Sequence, residues 1–293
     1  MPSLQCVSPG CGAPAEIQYR LSAFDVVSCP RCGLKYRQPF PTAEEIAQMY
    51  DDPVYLASSY FSGQNPDATI KAHPEISIYR QGLDWLSARS SAQPKQRRLL
   101  DVGCGTGFFL HCAKNDGWDV EGVEISRKHA EKAQREFQVP VHCADFSALS
   151  LEPASFDAIT LWDFLEHAKE PWKVLEQARR LLRQNGKLVV FTINSTSLFN
   201  QLAYLGYRLT RGGLRRAIEL LYDKRHNYYF DERSLKAQLE GSGFTIEACL
   251  YHRAHLKRWL AEPAPGWVLG MAECVDWLSV PLKMQYRQLL FCS

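Results

Sequence analysis

The 293-residue sequence contains no run of about 18 consecutive apolar residues, so no membrane-spanning helix is expected. Its first residues, MPSLQCVSPGCG, carry no basic segment ahead of an apolar one, and no secretory signal is expected. Net charge is scarce as well: 34 Lys and Arg against 32 Asp and Glu leave +2. Nothing in that balance draws the whole chain to nucleic acid, so any basic patch must be local. Apolar residues are not scarce. At 46% they suffice for a full core, and the length suits one large domain with attachments or two domains.

Cysteine is abundant, with ten residues. Without an export signal the expected compartment is the reducing cytoplasm, where clustered cysteines point to metal before disulfide. Four lie in the first 32 residues as two close pairs, Cys6-x4-Cys11 and Cys29-x2-Cys32, around a segment rich in β-formers. The second reads CPRCG, a turn whose backbone amides can face thiolates. Two such knuckles at the ends of a hairpin predict a tetrahedral four-cysteine zinc ribbon over residues 1–40, structural because it leaves no coordination position open. Four unliganded thiols in a small flap is the other reading. So small a module has no core of its own, and the metal would supply its stability. The other six, Cys104, Cys112, Cys143, Cys249, Cys274 and Cys292, sit among apolar neighbours and are expected in the core.

After the break at Pro39-Phe40-Pro41, Thr42-Ala43-Glu44-Glu45 has the form of a helix cap. Residues 41–96 are expected to form a helical linker or lid, with a helix from Ile76 to Ser90. From residue 97 onward strands alternate with helices. Strands are expected at Arg98–Gly103, Asp119–Ile125, Val139–Ala144, Phe156–Leu161, Lys187–Ile193, from Gly243, and at Gln288–Cys292. Helices are expected at Phe108–Asp116, Ser126–Phe137, Pro171–Arg183 and Asp231–Glu240. The alternation predicts an α/β fold with a parallel sheet covered on both faces, which binds ligands at the carboxyl ends of its strands.

The first strand enters LLDVGCGTGFFL, where glycine recurs at 103, 105 and 107. Glycine permits positive φ and close backbone approach, and the following helix start favours negative charge. A tight turn without a ligand would also use them. What the stretch lacks is decisive for one option: the dinucleotide fingerprint needs G-x-G-x-x-G, and position 108 is Phe. Acids stand at successive strand ends: Asp101, Glu124, and Asp145 followed by Phe146. Glu124 can accept hydrogen bonds from a ribose diol. Asp145 can accept an amino N–H, and Phe146 can stack on a base.

These residues resemble the class I S-adenosylmethionine-dependent methyltransferases, in the branch containing ubiquinone-pathway O-methyltransferases and bacterial sugar and polysaccharide methyltransferases. The resemblance rests on LLDVGCGTGFFL, VEGVEIS, CADF, FDAITLWDFLEHAKEP, LLRQNGKLVVFTIN and HNYYFDERSLKAQLEGSGF, over residues 98–250. The Cys-pair leader running into PFPTAEEIAQMYDDPVY resembles leaders of bacterial members of this branch. The resemblance implies a seven-stranded, mostly parallel Rossmann-like methyltransferase sheet whose last strand runs antiparallel, with the zinc ribbon in front. It implies Asp101, Gly103, Gly105 and Gly107 around the methionine moiety, Glu124 at the ribose, and Asp145 with Phe146 at the adenine. By the same resemblance Leu161, Trp162 and Asp163 are expected beside the cofactor, with Cys104, Phe108 and Ile125 completing the set.

Methyl transfer needs the acceptor aligned and its proton removed. The loop after the fourth strand lacks the [DN]-P-P-[YF] sequence of amino-group methyltransferases acting on bases. It carries Asp163-x-x-Glu166-His167, three residues expected on one helical face. The resemblance brings His226, in HNYYF, to the same acceptor pocket. Three readings stand: a histidine base, a divalent-metal site of all four residues, or a structural cap. Inserts at 195–229 and 252–285 are expected to form helical caps. They combine Leu198, Leu202, Leu205 and Leu209 at helical spacing with Arg208, Arg211, Arg215, Arg216, Lys224 and Arg225, and Trp259, Trp267 and Trp277 with Arg253, Lys257 and Arg258. They would contact an anionic membrane face or a phosphate, or simply cover the sheet. The expected function is methyl transfer from S-adenosylmethionine to a hydroxyl of a small molecule, namely a sugar, glycolipid or phenolic intermediate. C-methylation of a nucleotide sugar and RNA methylation are the alternatives. Against RNA stand the low net charge and the few basic residues of the ribbon (Arg20, Arg31, Lys35, Arg37). A scaffold without catalysis is disfavoured by the intact glycines and strand-end acids. The acceptor and the oligomeric state are not legible.

Overall fold

Period-two alternation explains the sheet. In β4 (Arg98–Val102), Leu99 faces one side while Leu100 and Val102 face the other. The same split recurs in β7 (Phe156–Trp162), β8 (Leu182–Ile193) and β11 (Arg287–Cys292), whose strands are buried on both faces. The computed structural model describes residues 4–42, 44–46, 75–90, 96–253 and 266–293. With β5 (Asp119–Val123), β6 (Val141–His142) and β10 (Ile246–His252), these strands form one seven-stranded sheet in the order β10-β11-β8-β7-β4-β5-β6. β11 runs antiparallel to both neighbours, and the pairs from β8 to β6 are parallel.

Helices cover both faces. α1 (Ile76–Arg89), α2 (Phe108–Asn115) and α3 (Arg127–Phe137) bury Leu83, Phe109, Ala133 and their neighbours against Leu99, Ala158, Val189 and Phe291. α4 (Pro171–Leu181) and α7 (Glu232–Gly241) place Leu175, Ala178 and Leu235 against Leu100, Ile159 and Val190. Pro at the start of α4 fits because the first-turn N–H has no helical partner. α7 is opened by a capping box between Asp231 and Ser234. Thr42 and Glu45 cap each other as expected. Tyr79 meets Trp162 edge-on at 5.0 Å, so α1 belongs to the cover of the sheet rather than to a linker.

Details differ from the sequence reading. The strand expected at Val139–Ala144 is only Val141–His142. α4 ends at Leu181 because Leu182 already pairs with Phe156. Of the six dispersed cysteines, Cys104, Cys112 and Cys292 are buried, Cys249 is half-buried, and Cys143 and Cys274 are exposed, so the last two are not core residues. Trp259, Lys257 and Arg258 lie outside the described residues, as does most of 41–74.

The ribbon strands β1 (Glu16–Arg20), β2 (Asp25–Ser28) and β3 (Lys35–Gln38) form a meander, and β9 (Tyr228–Tyr229) adds a fourth strand to it. One face of this sheet puts Val27, Leu34 and Tyr36 into the same core as Leu100 and Ile159. The other packs Tyr19, Phe24 and Val26 on Ile218, Leu221 and Tyr222. These last belong to α6 (Arg215–Leu221) and the residue after it, following α5 (Leu198–Leu209). The ribbon thus has no separate apolar core and shares that of the larger sheet and of α6. α5 and α8 (Gly266–Ser279) leave Leu202, Leu205, Leu209, Met271 and Trp277 exposed.

Candidate active site

β4 emerges where strand order reverses, with β5 and β6 on one side and β7 and β8 on the other. That is the position at which open α/β sheets bind ligands. The turn after it carries Gly103, Gly105 and Gly107 at φ +75°, +54° and +85°. Any other residue would be strained there, and at Gly103 a Cβ would also lie 2.4 Å from Phe164 Cδ2. Gly107 opens α2, whose first amides have no helical partner.

Acids surround this turn. Asp101 is buried and accepts the Thr160 hydroxyl at 2.6 Å. Burial, with the Glu124 charge adding to it, pushes its carboxyl up to about 8. Glu124 accepts the Gly105 N–H at 2.9 Å and the Ser126 N–H at 2.8 Å, tying the glycine turn to the end of β5. Each of its oxygens keeps a second lone pair for a hydroxyl. Burial raises its pKa too. Asp145 caps the 3-10 turn Phe146–Ala148 through Ser147.

Side chains of other expected residues point elsewhere. Phe146 is 2% exposed and packed in the core, so its ring presents no stacking face, whereas Ile125 is 52% exposed. Cys104 packs against Gly122, and Phe108 meets Phe137 at 5.7 Å. Leu161 and Trp162 fill opposite faces of the sheet. Cys104 anchors the turn that carries it, and the other three anchor the helix start and strand end that flank the two turns.

The segment after β7 is a turn, not the helix expected. Asp163 has φ +48°, and His167 N–H donates to the Phe164 carbonyl at 3.0 Å, an i to i+3 bond. Asp163 therefore departs from the face of Glu166 and His167. It accepts from the Arg287 guanidinium, which also lies 3.8 Å from Glu75 and 4.2 Å over the Phe191 ring. Glu166 is buried, and neither of its oxygens has a hydrogen-bond partner among the described residues. Burial and then the Asp163 charge push its carboxyl up to about 8. His167 Nδ1 donates to the Arg225 carbonyl at 3.0 Å, and its ring lies 4.7 Å from that of His226. Burial lowers the His167 pKa; burial and His167 push His226 down to about 3. The donor atoms of Glu166, His167 and His226 all lie within 4.8 Å, so the four-residue metal set expected from sequence reduces to three. Sequence reading missed Arg287, Glu75 and Phe164, and no spacing signal marks them.

At the other end of the ribbon core, Cys6, Cys11, Cys29 and Cys32 converge with their sulfurs within 4.8 Å. No disulfide joins them; the Cys6–Cys32 and Cys11–Cys29 sulfurs are 3.6 and 3.7 Å apart.

The family described as "Methyltransferase domain" matches residues 75–248. A ubiquinone biosynthesis O-methyltransferase of Ralstonia nicotianae is 32% identical over 148 residues, which cover 48% of this chain and 60% of that one. Another of that name, from Paracidovorax citrulli, is 30% identical over 173 residues, 56% of this chain and 72% of its own. The match thus spans under two thirds of the Ralstonia protein. Among solved structures, a SAM-dependent methyltransferase from Archaeoglobus fulgidus has TM-score 0.53 at 18% identity, covering 82% of this chain and 99% of its own. The [4+2]-cyclase SpnF has TM-score 0.54 at 20% identity, covering 87% and 97%. At such identities these two speak for the fold alone.

Proposed function

The chain belongs to the methyltransferase-domain family, and on that premise we propose that it transfers a methyl group from S-adenosylmethionine to a hydroxyl of a small molecule: a sugar, a glycolipid or a phenolic intermediate. The glycine turn, the spare lone pairs of Glu124 and the exposed face of Ile125 fit a nucleoside joined to a methionine tail. When bound, that cofactor supplies an activated methyl on a sulfonium. Asp101, Gly103, Gly105 and Gly107 would hold its amino-acid end, Glu124 its ribose and Asp145 its adenine.

The chain's own task is to align the hydroxyl and take its proton. One observation carries the assignment of that role. The Arg225 carbonyl can only accept, so the hydrogen bond at 3.0 Å fixes the proton of neutral His167 on Nδ1. Nε2 then bears the lone pair, and the lowered pKa keeps the ring neutral and ready. Nε2 would take the hydroxyl proton, while the cofactor would supply the methyl by cleavage of its sulfonium–methyl bond, with S-adenosylhomocysteine as the leaving group. A screen of phenols, sugars and nucleotide sugars for S-adenosylhomocysteine formation tests the acceptor class. With any hydroxyl acceptor found, His167→Gln should lower kcat by about 10²–10⁴ while calorimetric cofactor affinity holds. Undiminished kcat would refute the base assignment. Methylation at carbon of a nucleotide sugar is the alternative that product analysis separates.

A second reading is favoured by the Glu166 carboxyl and the His226 Nδ1, neither of which has a hydrogen-bond partner among the described residues. Glu166, His167 and His226 offer two imidazoles and a carboxylate to a divalent cation, which would lower the pKa of a bound hydroxyl. Loss of activity on chelation, restored by Mg2+ or Mn2+, would favour it.

The four N-terminal cysteines suit structural zinc. A tetrahedron with Zn–S about 2.3 Å has edges of about 3.8 Å, near the 3.6 and 3.7 Å separations. RNA binding by the ribbon has little support, since Lys35 and Arg37 are buried and bonded inside the protein. The exposed apolar row of α5, beside Arg208, Arg211, Arg215 and Arg216 with Glu219 as the one acid from 198 to 221, supports contact with an anionic membrane face. No helix among the described residues is long and apolar enough to cross a membrane.

A further inference from the structure

The loop from 223 to 229 is held between two bodies. On one edge it meets the turn after β7. Asn227 N–H donates to the Glu166 carbonyl at 2.8 Å, and its side-chain amide donates to the His167 carbonyl at 2.8 Å. The Arg225 carbonyl accepts a hydrogen bond from His167 Nδ1–H. On the other edge it meets the ribbon. β3 pairs Tyr36 with Tyr228 and Lys35 with Tyr229. Arg37 N–H donates to the Asn227 carbonyl at 3.0 Å, and the buried Arg37 guanidinium donates to the Lys224 carbonyl, 187 residues away. Its Nε donates to the Pro39 carbonyl at 3.0 Å, and the group lies 4.8 Å over the Phe24 ring. Arg37 is thereby fixed at its own end and grips the loop directly before Arg225.

We propose that the ribbon is the brace of the acceptor site and that Arg37 is its positioning residue. Arg37 holds the Lys224 carbonyl, so it sets where the next carbonyl, that of Arg225, stands. That carbonyl sets the tautomer and tilt of His167, and the same loop carries His226. A ribbon built for docking a partner would keep its cations outside. Here the two cations of β3 are turned inward onto backbone carbonyls, Lys35 reaching that of Ser195 at 3.3 Å. The catalytic consequence rests on the reading of His167 as base; the positioning does not.

The test uses the full-length protein and needs no acceptor. Long-range ¹H–¹⁵N spectra report the protonation pattern and surroundings of each imidazole nitrogen. Arg37→Met keeps the buried stem and removes both donated bonds; Arg37→Lys keeps the charge but not the two-point grip. Both should displace the ring-nitrogen signals of His167 and His226, Met more than Lys, while calorimetric S-adenosylmethionine affinity stays within about twofold, a change of roughly 0.4 kcal/mol. Arg20→Met, which removes an exposed partner of Asp25 on the ribbon's outer strand, should move neither signal. If Arg37→Met does not fold, the Lys variant is read alone. Signals at wild-type positions in a folded Arg37 variant would overturn the proposal, as would equal displacement by Arg20→Met. Because no turnover is measured, a failure of His167 as base leaves this outcome readable.

Discussion

Replacing Asp101 by Asn separates what the fold tolerates from what the site requires. The residue is 2% exposed, and its carboxyl accepts a hydrogen bond from Thr160, which an amide oxygen accepts equally well. Shape and bond therefore survive, and the variant loses only the ability to ionise. In the unfolded chain an aspartate titrates near 3.9; in the fold burial raises Asp101 to about 8. A raised acid binds more protons folded than unfolded, so its contribution is complete below about pH 4 and is lost as pH rises through about 8. The loss runs at up to ~1.4 kcal/mol per pH unit, with a ceiling of roughly 5 kcal/mol over the window. The stability gap in favour of Asp101→Asn should therefore widen by ~2–3 kcal/mol between pH 5.5 and 8. Urea unfolding of both proteins across that range reads the gap directly, and subtracting the curves removes every other titrating group. Calorimetry at pH 7.5 should show weaker S-adenosylmethionine binding by the Asn variant, since a cationic cofactor favours ionisation of the largely protonated Asp101 carboxyl and an amide cannot ionise. Parallel stability curves would refute the reasoning, because they would mean that the carboxyl ionises as easily folded as unfolded.

Gly103→Ala should cost about 2–4 kcal/mol, from left-handed strain and from displacing the Phe164 ring, and should abolish calorimetric cofactor binding; a variant that melts and binds like wild type would sink the reading of the turn. Purified protein should carry about one zinc per chain by elemental analysis, and chelation or Cys32→Ser should lower the melting temperature; metal-free protein with unchanged melting would remove zinc from the account. Leu205→Glu with Leu209→Glu should abolish sedimentation with phosphatidylglycerol vesicles, and wild-type binding should weaken with salt; wild-type protein left in the supernatant at low salt would end the membrane reading.

The sheet was legible because strands buried on both faces leave apolar runs that no surface element copies. Leu99-Leu100, the run from Phe156 to Leu161 and Leu188 to Phe191 are of this kind, and glycine at alternate positions marked the turn that must run left-handed. Residues whose role is carried by backbone were harder to assign. Phe146 follows Asp145 at a strand end, which suggested a stacking ring, yet the 3-10 turn capped by Asp145 swings that ring inward. Asp163-x-x-Glu166-His167 has helical spacing, but spacing decides a shared face only if the backbone is helical. A left-handed Asp163 sends its carboxylate to Arg287 instead.

What stayed hidden has a common cause. Arg287, near the chain's end, meets both Asp163 and Glu75, and Arg37 meets Lys224 across 187 residues. Such pairs carry no local pattern, because each partner is placed by its own element and only the folded topology brings them together. A cation in a short polar strand reads as surface for that reason. Yet burying Arg37 without bonds would cost several kcal/mol, so its inward position is sustained by the carbonyls it satisfies. Those carbonyls belong to a loop bearing His226 and the acceptor for His167. A ribbon that served only to hold metal would have no need to spend a buried guanidinium there, and its sheet could close without β9. The pairing of β3 with β9 therefore ties the ribbon to the proposed acceptor site, and loss of a metal held by Cys6, Cys11, Cys29 and Cys32 should be felt at His167 before it is felt at Glu124, which is bonded to Gly105 and Ser126.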